Sequence, residues 1–164
     1  MLPFKTILTA AFAAAALTAC AAPHGKPHPR AEHQGQRMNS IHSIESKYGF
    51  DETVSRLQNA VKDKGMTVFA VIDHQAAAKE NGLNMQLSKV IVFGTPKAGT
   101  PLMVKDPAFA LQLPLRVLVT ETDGRTQAVF NDTRALIAGS KIEYAEVENT
   151  LANAEKLIRK VVTE

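Results

Sequence analysis

The run LPLRVLVTETDGRTQAVF, residues 113–130, contains the strongest structural signal in the chain. Within residues 115–120, Leu115, Val117 and Val119 alternate with Arg116, Leu118 and Thr120. This period of two is typical of a β-strand. Asp123-Gly124 comes next, and this pair is favoured in two-residue hairpin turns that need positive φ. Thr126–Phe130 then supplies a return strand. The stretch therefore predicts an antiparallel hairpin.

Three other segments are predicted to form helices, and the first and third of them carry apolar residues at the spacing of an amphipathic helix. The first begins at Asp51-Glu52, whose charges favour the helix dipole, and ends before Gly65. The second begins at Thr100-Pro101, an N-cap followed by proline at the first helical position, and runs to Leu111 with a kink or break at Pro107. The third is one long C-terminal helix, whose apolar stripe is Tyr144, Val147, Leu151, Ala154, Ile158 and Val161.

Two β-branched segments, Met66–Asp73 and Lys89–Phe93, predict further strands, and Ile41–Lys47 has the same tendency. Residues 75–80 are rich in alanine and predict one or two helical turns. In the Met66–Asp73 strand we expect one face to carry Val68, Ala70 and Ile72. The order of elements, with its antiparallel hairpin, predicts a two-layer α+β domain with helices on one face of a sheet.

Charge argues against a nucleic-acid partner. The whole chain has 19 Lys plus Arg and 16 Asp plus Glu, but from Ile41 onward each kind numbers 15. A neutral domain with interspersed charges lacks the basic surface that binds a polyphosphate. The hydrophobic fraction of 45% is typical of a folded domain and argues against a disordered chain.

The first 19 residues have the features of an export signal. Met1–Lys5 is positively charged, and Ile7–Leu17 is an apolar run of signal-peptide length, too short to cross a bilayer. The sequence Leu17-Thr18-Ala19-Cys20 resembles the lipobox of bacterial lipoproteins. That resemblance implies cleavage before Cys20, acylation of its thiol, and a lipid-anchored protein of the cell envelope that faces the periplasm. Ala21 favours the outer membrane over the inner one; the alternative is an ordinary signal peptide cut after an alanine.

Residues 20–40 are polar and contain Pro and Gly, which predicts a flexible tether before a single domain at residues 41–164. Three histidines lie in this tether. Neutral imidazole binds transition metals, so a weak Cu or Zn site is one interpretation and a merely polar linker is the other. The candidate metal ligands are His24, His28 and His33.

Several blocks of the domain resemble the family called domain of unknown function 302. They include residues 72–74, residues 92–96 and 99–103, which read VFGTP and GTPLM, and residues 113–119. The family typically has Asn where Thr95 stands. The resemblance implies a fold similar to the TATA-binding-protein-like class, with a curved antiparallel sheet packed by helices, and frequent pairing as dimers. It implies no established activity.

Most of the candidate ligand-binding residues follow the ends of two predicted strands, Met66–Asp73 and Lys89–Phe93. His74 follows a strand and stands next to Asp73, which could orient its imidazole for metal binding or proton transfer. The Gly/Pro-rich run of residues 94–103 leads into a predicted helix N-terminus, which favours an anion. The residues expected to bind a small ligand are His74, Gly94, Lys97, Gly99, Thr100 and Arg116.

The sequence therefore supports three functional hypotheses. The first is a tethered module that binds a small ligand or anion without catalysis, because no nucleophile elbow or catalytic thiol is evident. The second is a structural or interaction protein of the envelope that acts as a homodimer. The third is a periplasmic protein that handles Cu or Zn through the tether histidines or His74.

Overall fold

The computed structural model of the protein describes residues 40–164. These residues comprise the globular domain. The predicted signal peptide, the predicted lipidation site at Cys20 and the histidines of the predicted tether, His24, His28 and His33, lie outside the described residues.

The described domain contains five strands and six α-helices in chain order. The strands are β1 Ile41–Glu45, β2 Thr67–Asp73, β3 Ser88–Gly94, β4 Leu115–Thr122 and β5 Arg125–Asn131. The helices are α1 Phe50–Asp63, α2 His74–Glu80, α3 Pro96–Lys105, α4 Thr133–Ile137, α5 Tyr144–Val147 and α6 Leu151–Thr163, with a 3₁₀ helix at Pro107–Gln112.

The strands form one antiparallel sheet in the order β1-β5-β4-β3-β2. The predicted hairpin lies inside it, because β4 and β5 pair from Val117↔Phe130 to Thr122↔Arg125. Asp123 has φ 53° and Gly124 has φ 73°. Both central residues thus have the positive φ that a type I′ turn requires, and the predicted hairpin turn is confirmed.

Helices α1 and α6 cover one face of the sheet and bury its central side chains. Leu57 and Val61 of α1 and Val162 of α6 are almost fully buried against this face. The strands contribute Ile91, Phe93, Val117, Val119, Ala128 and Phe130 to the same core. The two-layer α+β architecture predicted from the sequence is confirmed.

A second apolar cluster closes one end of the sheet. Leu102 of α3, Phe109 of the 3₁₀ helix and Val147 of α5 are buried in it, together with Ile142 and Leu151. This cluster holds α3 against the start of α6. It thereby fixes the position of these two helices relative to each other.

The predicted start of the second helix at Thr100-Pro101 is wrong. Helix α3 begins five residues earlier, with Thr95 as N-cap and Pro96 at the first helical position, because β3 ends immediately before at Gly94. Pro101 therefore lies inside the helix, where it lacks an amide to donate to the fourth preceding carbonyl. The break predicted at Pro107 is confirmed, since the 3₁₀ helix begins there.

The prediction of a single long C-terminal helix is also wrong. Its predicted apolar stripe is divided between α5 and α6, with a turn at residues 148–150. Val147 packs in the end cluster, whereas Ile158 packs under the sheet. The turn separates the two helices, and Leu151 at the start of α6 still belongs to the end cluster. The short helix α4 was not predicted.

A β-bulge alters strand β2. Val68 pairs with Phe93, but Ala70 pairs with Val92, so Phe69 is an extra residue in the register. Directly paired residues share a face, and a one-residue insertion reverses the faces of the residues after it. Val68 therefore does not share a face with Ala70 and Ile72, contrary to the prediction. Phe69 is 49% exposed at this irregularity.

Candidate functional site

A cavity of about 690 Å³ lies between helix α3 and helix α6. Its floor is formed where β3 ends and β4 begins, and its side by the bulge of β2. The lining residues are Lys64, Met66, Phe69, Gly94, Thr95, Pro96, Ala98, Gly99, Thr100, Met103, Leu113, Pro114, Leu115, Asn149, Thr150, Leu151, Asn153, Ala154, Lys156, Leu157 and Lys160.

Local backbone features bring these segments together. Helix α1 ends at a turn in which Gly65 has φ 70°, and this turn places Lys64 and Met66 beside the bulge of β2. The peptide bond between Leu113 and Pro114 is cis, and both residues line the cavity before β4 starts. The cavity thus combines the end of β3 and the start of β4 with the interior of α3 and α6, rather than one continuous motif.

Most of the wall is apolar. Phe69, Met103 and Leu157 reach the cavity from three different elements, and Leu113 and Leu115 line it from the entry to β4. Gly99 is buried in α3 and adds no side chain to the wall. The space therefore suits a ligand with a hydrocarbon part, which gains free energy by leaving water.

The polar groups of the lining are cationic or neutral. Lys64, Lys156 and Lys160 lie on it, and no Asp or Glu of residues 40–164 is among its lining residues. Lys160 Nζ is 3.5 Å from Glu164 Oε2, a pair at the exposed end of α6. Within residues 40–164, no carboxylate lies within ion-pair distance of Lys64 or Lys156. The unpaired lysines give the cavity a positive potential.

Neutral hydrogen-bonding groups stand beside the lysines. Asn149 and Thr150 line the cavity at the turn before α6 and Asn153 lines it from α6, while Thr95 and Thr100 line it from the N-cap and the interior of α3. The Asn153 side chain already donates to the carbonyl of Asn149 at 3.1 Å, and Thr150 Oγ1 donates to the carbonyl of Val147 at 3.3 Å. Amide and hydroxyl oxygens with further hydrogen-bonding capacity can fix the orientation of a polar ligand group.

The sequence-predicted residues are only partly brought together. Gly94, Gly99 and Thr100 line the cavity, whereas His74, Lys97 and Arg116 do not. His74 is exposed at the start of α2, Lys97 is exposed near the start of α3, and Arg116 is exposed on β4. The expected pairing of His74 with the Gly/Pro-rich run is therefore absent from this cavity.

The carboxylate oxygens of Asp73 bond to groups other than His74. Its Oδ1 accepts a hydrogen bond from the amide of Ala76 at 2.9 Å, which caps α2, and its Oδ2 lies 3.4 Å from Lys89 Nζ. The hydrogen bond from Ala76 is the main reason that the pKa of Asp73 lies below its usual value, and the charge of Lys89 lowers it further. Asp73 is thus a helix cap and an ion-pair partner.

The half of the cavity that comes from α6 and from the end of α1 was not predicted from the sequence. Lys156 and Leu157 belong to a helix whose pattern indicated only a core-facing stripe and a charged outer side. The one available signal is the polar run Glu148-Asn149-Thr150, which interrupts the stripe. The contact of this run with α3 depends on the tertiary fold, which a local pattern does not contain.

Comparisons with known proteins agree with the fold. The family described as domain of unknown function DUF302 matches residues 42–164. A crystal structure of an uncharacterised conserved protein DUF302 from Bacillus stearothermophilus superimposes with a TM-score of 0.63 at 19% identity. The match covers 74% of this chain and 94% of that one. At this identity the likeness concerns the fold alone.

Curated relatives match a shorter stretch. A protein of Brucella suis biovar 1 named fluoride-specific ion channel FluC 1 is 38% identical over 91 residues, which are 55% of this chain and 36% of that protein. The fluoride-specific ion channel FluC 2 of Brucella melitensis biotype 1 is 38% identical over 91 residues and is covered to 34%. The match thus spans about a third of these relatives. Within residues 40–164, no helix is both long and apolar enough to cross a membrane.

Proposed function

Because this chain belongs to the domain of unknown function DUF302 family, whose description names no activity, we propose its function from the cavity: the domain binds a small amphipathic anion, an acid with a hydrocarbon tail. The observation that carries this proposal is the composition of the lining, which combines an apolar wall with three lysines and no acidic residue. We propose binding and no chemical conversion.

The size of the cavity supports a ligand of moderate length. Its volume of about 690 Å³ lies within the ~300–1,000 Å³ of pockets that hold small molecules. Each methylene transferred from water to an apolar wall contributes about 0.8 kcal/mol. A tail that reaches Phe69 and Met103 would therefore supply most of the affinity.

The lysines supply selectivity for the charge of the head group. An exposed ion pair is worth about 0.2–1 kcal/mol, so each lysine should change affinity by a factor of about 1.4 to 5. Lys64 and Lys156 have no competing carboxylate within the described residues. A carboxylate head group would be attracted by the charges of both lysines, whereas an ammonium head group would be repelled by them.

A chain-length series tests the proposal. Hexanoate, octanoate and decanoate are titrated into the protein by calorimetry, with decanol and decyltrimethylammonium as uncharged and cationic probes. Affinity should rise about threefold to fourfold per methylene, as expected for a buried chain, and decanoate should bind best. Affinity that does not depend on chain length, or a preference for the cationic probe, would contradict the proposal.

Matched variants separate the two parts of the site. Lys64→Gln and Lys156→Gln should weaken decanoate binding without changing the affinity for decanol. Lys62→Gln is the control, because Lys62 lies close to Lys64 at the end of α1 and does not line the cavity. Met103→Ala should weaken decanoate and decanol equally, since it removes only apolar contact.

A second candidate ligand is fluoride, and the names of the curated relatives favour it. A fluoride ion would interact with the lysines and leave the apolar wall unused. The same calorimetric experiment distinguishes the two candidates, because sodium fluoride is titrated alone and in competition with decanoate. Fluoride binding in the millimolar range that is abolished by Lys156→Gln would favour the anion without a tail.

We propose in addition that Cys20 carries the lipid anchor, which would hold the domain at the periplasmic face of the envelope. The support is the run Leu17-Thr18-Ala19-Cys20 after an apolar segment. Cys20→Ser in the native host, followed by cell fractionation, tests this proposal. The variant should lose the lipid and keep its unprocessed size; unchanged processing and unchanged partitioning would contradict lipidation.

A further inference from the structure

His42, Asp132 and Glu155 meet at the β1 edge of the sheet although they are far apart in sequence. His42 lies in β1, Asp132 is the N-cap of α4, and Glu155 lies in α6. Nε2 of His42 is 3.0 Å from Oδ2 of Asp132 and 3.1 Å from Oε1 of Glu155. The three side chains are between 18% and 27% exposed, so water reaches them only in part.

The remaining oxygens of both carboxylates are held by other groups. Oδ1 of Asp132 accepts from the amide of Ala135 at 3.0 Å. Oε2 of Glu155 accepts from the amide and the hydroxyl of Thr133, at 3.1 and 2.9 Å. The ring of His42 packs on Phe130, with centroids 5.4 Å apart. Each side chain is thus fixed so that one ligand atom faces the other two, as in an oriented coordination site.

The two distances from Nε2 match those between neighbouring ligands on one metal ion, and the three ligand atoms all lie within 4.8 Å of one another. Ligands about 2.0–2.2 Å from a cation and roughly 90–109° apart lie ~3.0–3.4 Å from each other. Nε2 of an imidazole has at most one proton, yet it faces two carboxylate oxygens. A cation in place of that proton would satisfy both carboxylates and the nitrogen together.

We propose that His42, Asp132 and Glu155 bind a divalent first-row transition metal of the Zn²⁺ or Mn²⁺ class. One imidazole and two carboxylates are ligands that these ions accept, while Mg²⁺ and Ca²⁺ prefer oxygen alone. The two carboxylates balance the charge of the ion. The site lies outside the cavity lining and does not depend on the ligand proposed for the cavity.

Arg159 opposes the bound cation. Its Nε and Nη2 atoms are 3.3 and 3.2 Å from Oε1 of Glu155, one helical turn away in α6. That oxygen accepts both N–H groups of Arg159, so a cation would have to take the place of at least one of them. The guanidinium charge also repels a cation at this distance. Arg159→Gln should therefore tighten metal binding several-fold.

The test uses Zn²⁺ titration by calorimetry on the full chain, with other soft or imidazole ligands removed. The background variant replaces Cys20 by Ser and four histidines by Gln, namely His24, His28, His33 and His74. This protein should still bind one Zn²⁺, and His42→Gln should weaken binding at least about tenfold. Mn²⁺ should broaden the NMR signals of the His42 imidazole, and Mg²⁺ should not compete.

A matched ion pair provides the control. Arg56 and Glu52 in α1 are also four residues apart, with Nε 2.9 Å from Oε1, but no histidine faces them. Arg56→Gln should leave Zn²⁺ affinity unchanged, whereas Arg159→Gln should raise it. Absence of Zn²⁺ binding up to about 1 mM would overturn the proposal. Binding that survives His42→Gln would overturn it as well, even if the cavity binds its acid.

Discussion

The backbone of Gly99 passes so close to Leu113 that a Cβ on Gly99 would lie 3.2 Å from Leu113 Cδ1. Both residues line the cavity, and the end of Met103 would be 3.9 Å from the same Cβ. The absence of a side chain at Gly99 therefore leaves room for Leu113 between α3 and the start of β4. The volume of the cavity depends on this contact.

Gly99→Ala should reduce decanoate affinity with little effect on stability. Alanine gains about 0.5–1 kcal/mol over glycine inside a helix, which offsets the displacement of one leucine methyl group. Leu113 would move by a few tenths of an ångström and narrow the cavity. We expect a free energy of unfolding within about 1 kcal/mol of the parent by urea denaturation, and weaker binding by calorimetry. Unchanged affinity would show that the ligand does not reach this part of the cavity.

Because of the bulge in β2, replacing each of two neighbouring phenylalanines should change the free energy of unfolding by a different amount. Phe93 has 0% exposure in the core, whereas Phe69 is 49% exposed at the cavity. Phe93→Ala should cost about 3–5 kcal/mol, and Phe69→Ala about 1 kcal/mol or less. Urea denaturation measures both. Equal costs would mean that Phe69 is packed in the core and that the bulge lies elsewhere.

The turn between β4 and β5 should not tolerate a side chain at its second position. Gly124 has φ 73°, so Gly124→Ala should destabilise the protein by about 1 kcal/mol or more. Gly49→Ser is the matched control, because Gly49 has φ −65° and open space around it and precedes α1 as an N-cap. It should be neutral or slightly stabilising in thermal unfolding. Equal losses would argue against the type I′ turn.

The sequence predicts those elements whose signals are local. Asp123-Gly124 specifies its turn through backbone preference alone, and the hairpin fixes the centre of the sheet. Thr95-Pro96 and Thr100-Pro101 satisfy the same helix-start rule, so the rule cannot select between them. The structure uses the first pair because β3 ends beside it. The bulge at Phe69 depends on pairing with β3, which a single strand does not encode.

The candidate sites are harder to predict because their residues meet only in the folded chain. Lys64 and Lys156 line one cavity from different helices, although each alone resembles an ordinary surface lysine. His42 and Asp132 are 90 residues apart, and in the sequence His42 is only a polar residue of an edge strand. Gly94, Gly99 and Thr100 share one short Gly/Pro-rich run, which is why the sequence groups them, although Gly99 and Thr100 lie inside α3 and not in a turn.

Asp132 should make stability depend on acid pH. Burial raises its pKa, but hydrogen bonds from the amide of Ala135 and from His42 outweigh this effect, so the pKa lies below its usual value of 3.8. A carboxyl with a lowered folded pKa stabilises the protein above the unfolded pKa, and this contribution is lost as pH falls through the folded value. Asp132→Asn keeps a side-chain oxygen that can cap α4, removes the charge, and replaces the oxygen that faces His42 by an amide NH2 group.

The variant should therefore be less stable than the parent by about 0.2–1 kcal/mol near pH 6, the range for a partly solvated charge. The difference should shrink from about pH 5 downward and vanish below the folded pKa, where Asp132 is protonated. Urea unfolding in the presence of EDTA measures this difference without a contribution from bound metal. Glu52→Gln is the control, because Glu52 is exposed in its pair with Arg56. A difference that stays constant down to about pH 2 would mean that Asp132 stabilises the protein through its shape and not through its charge.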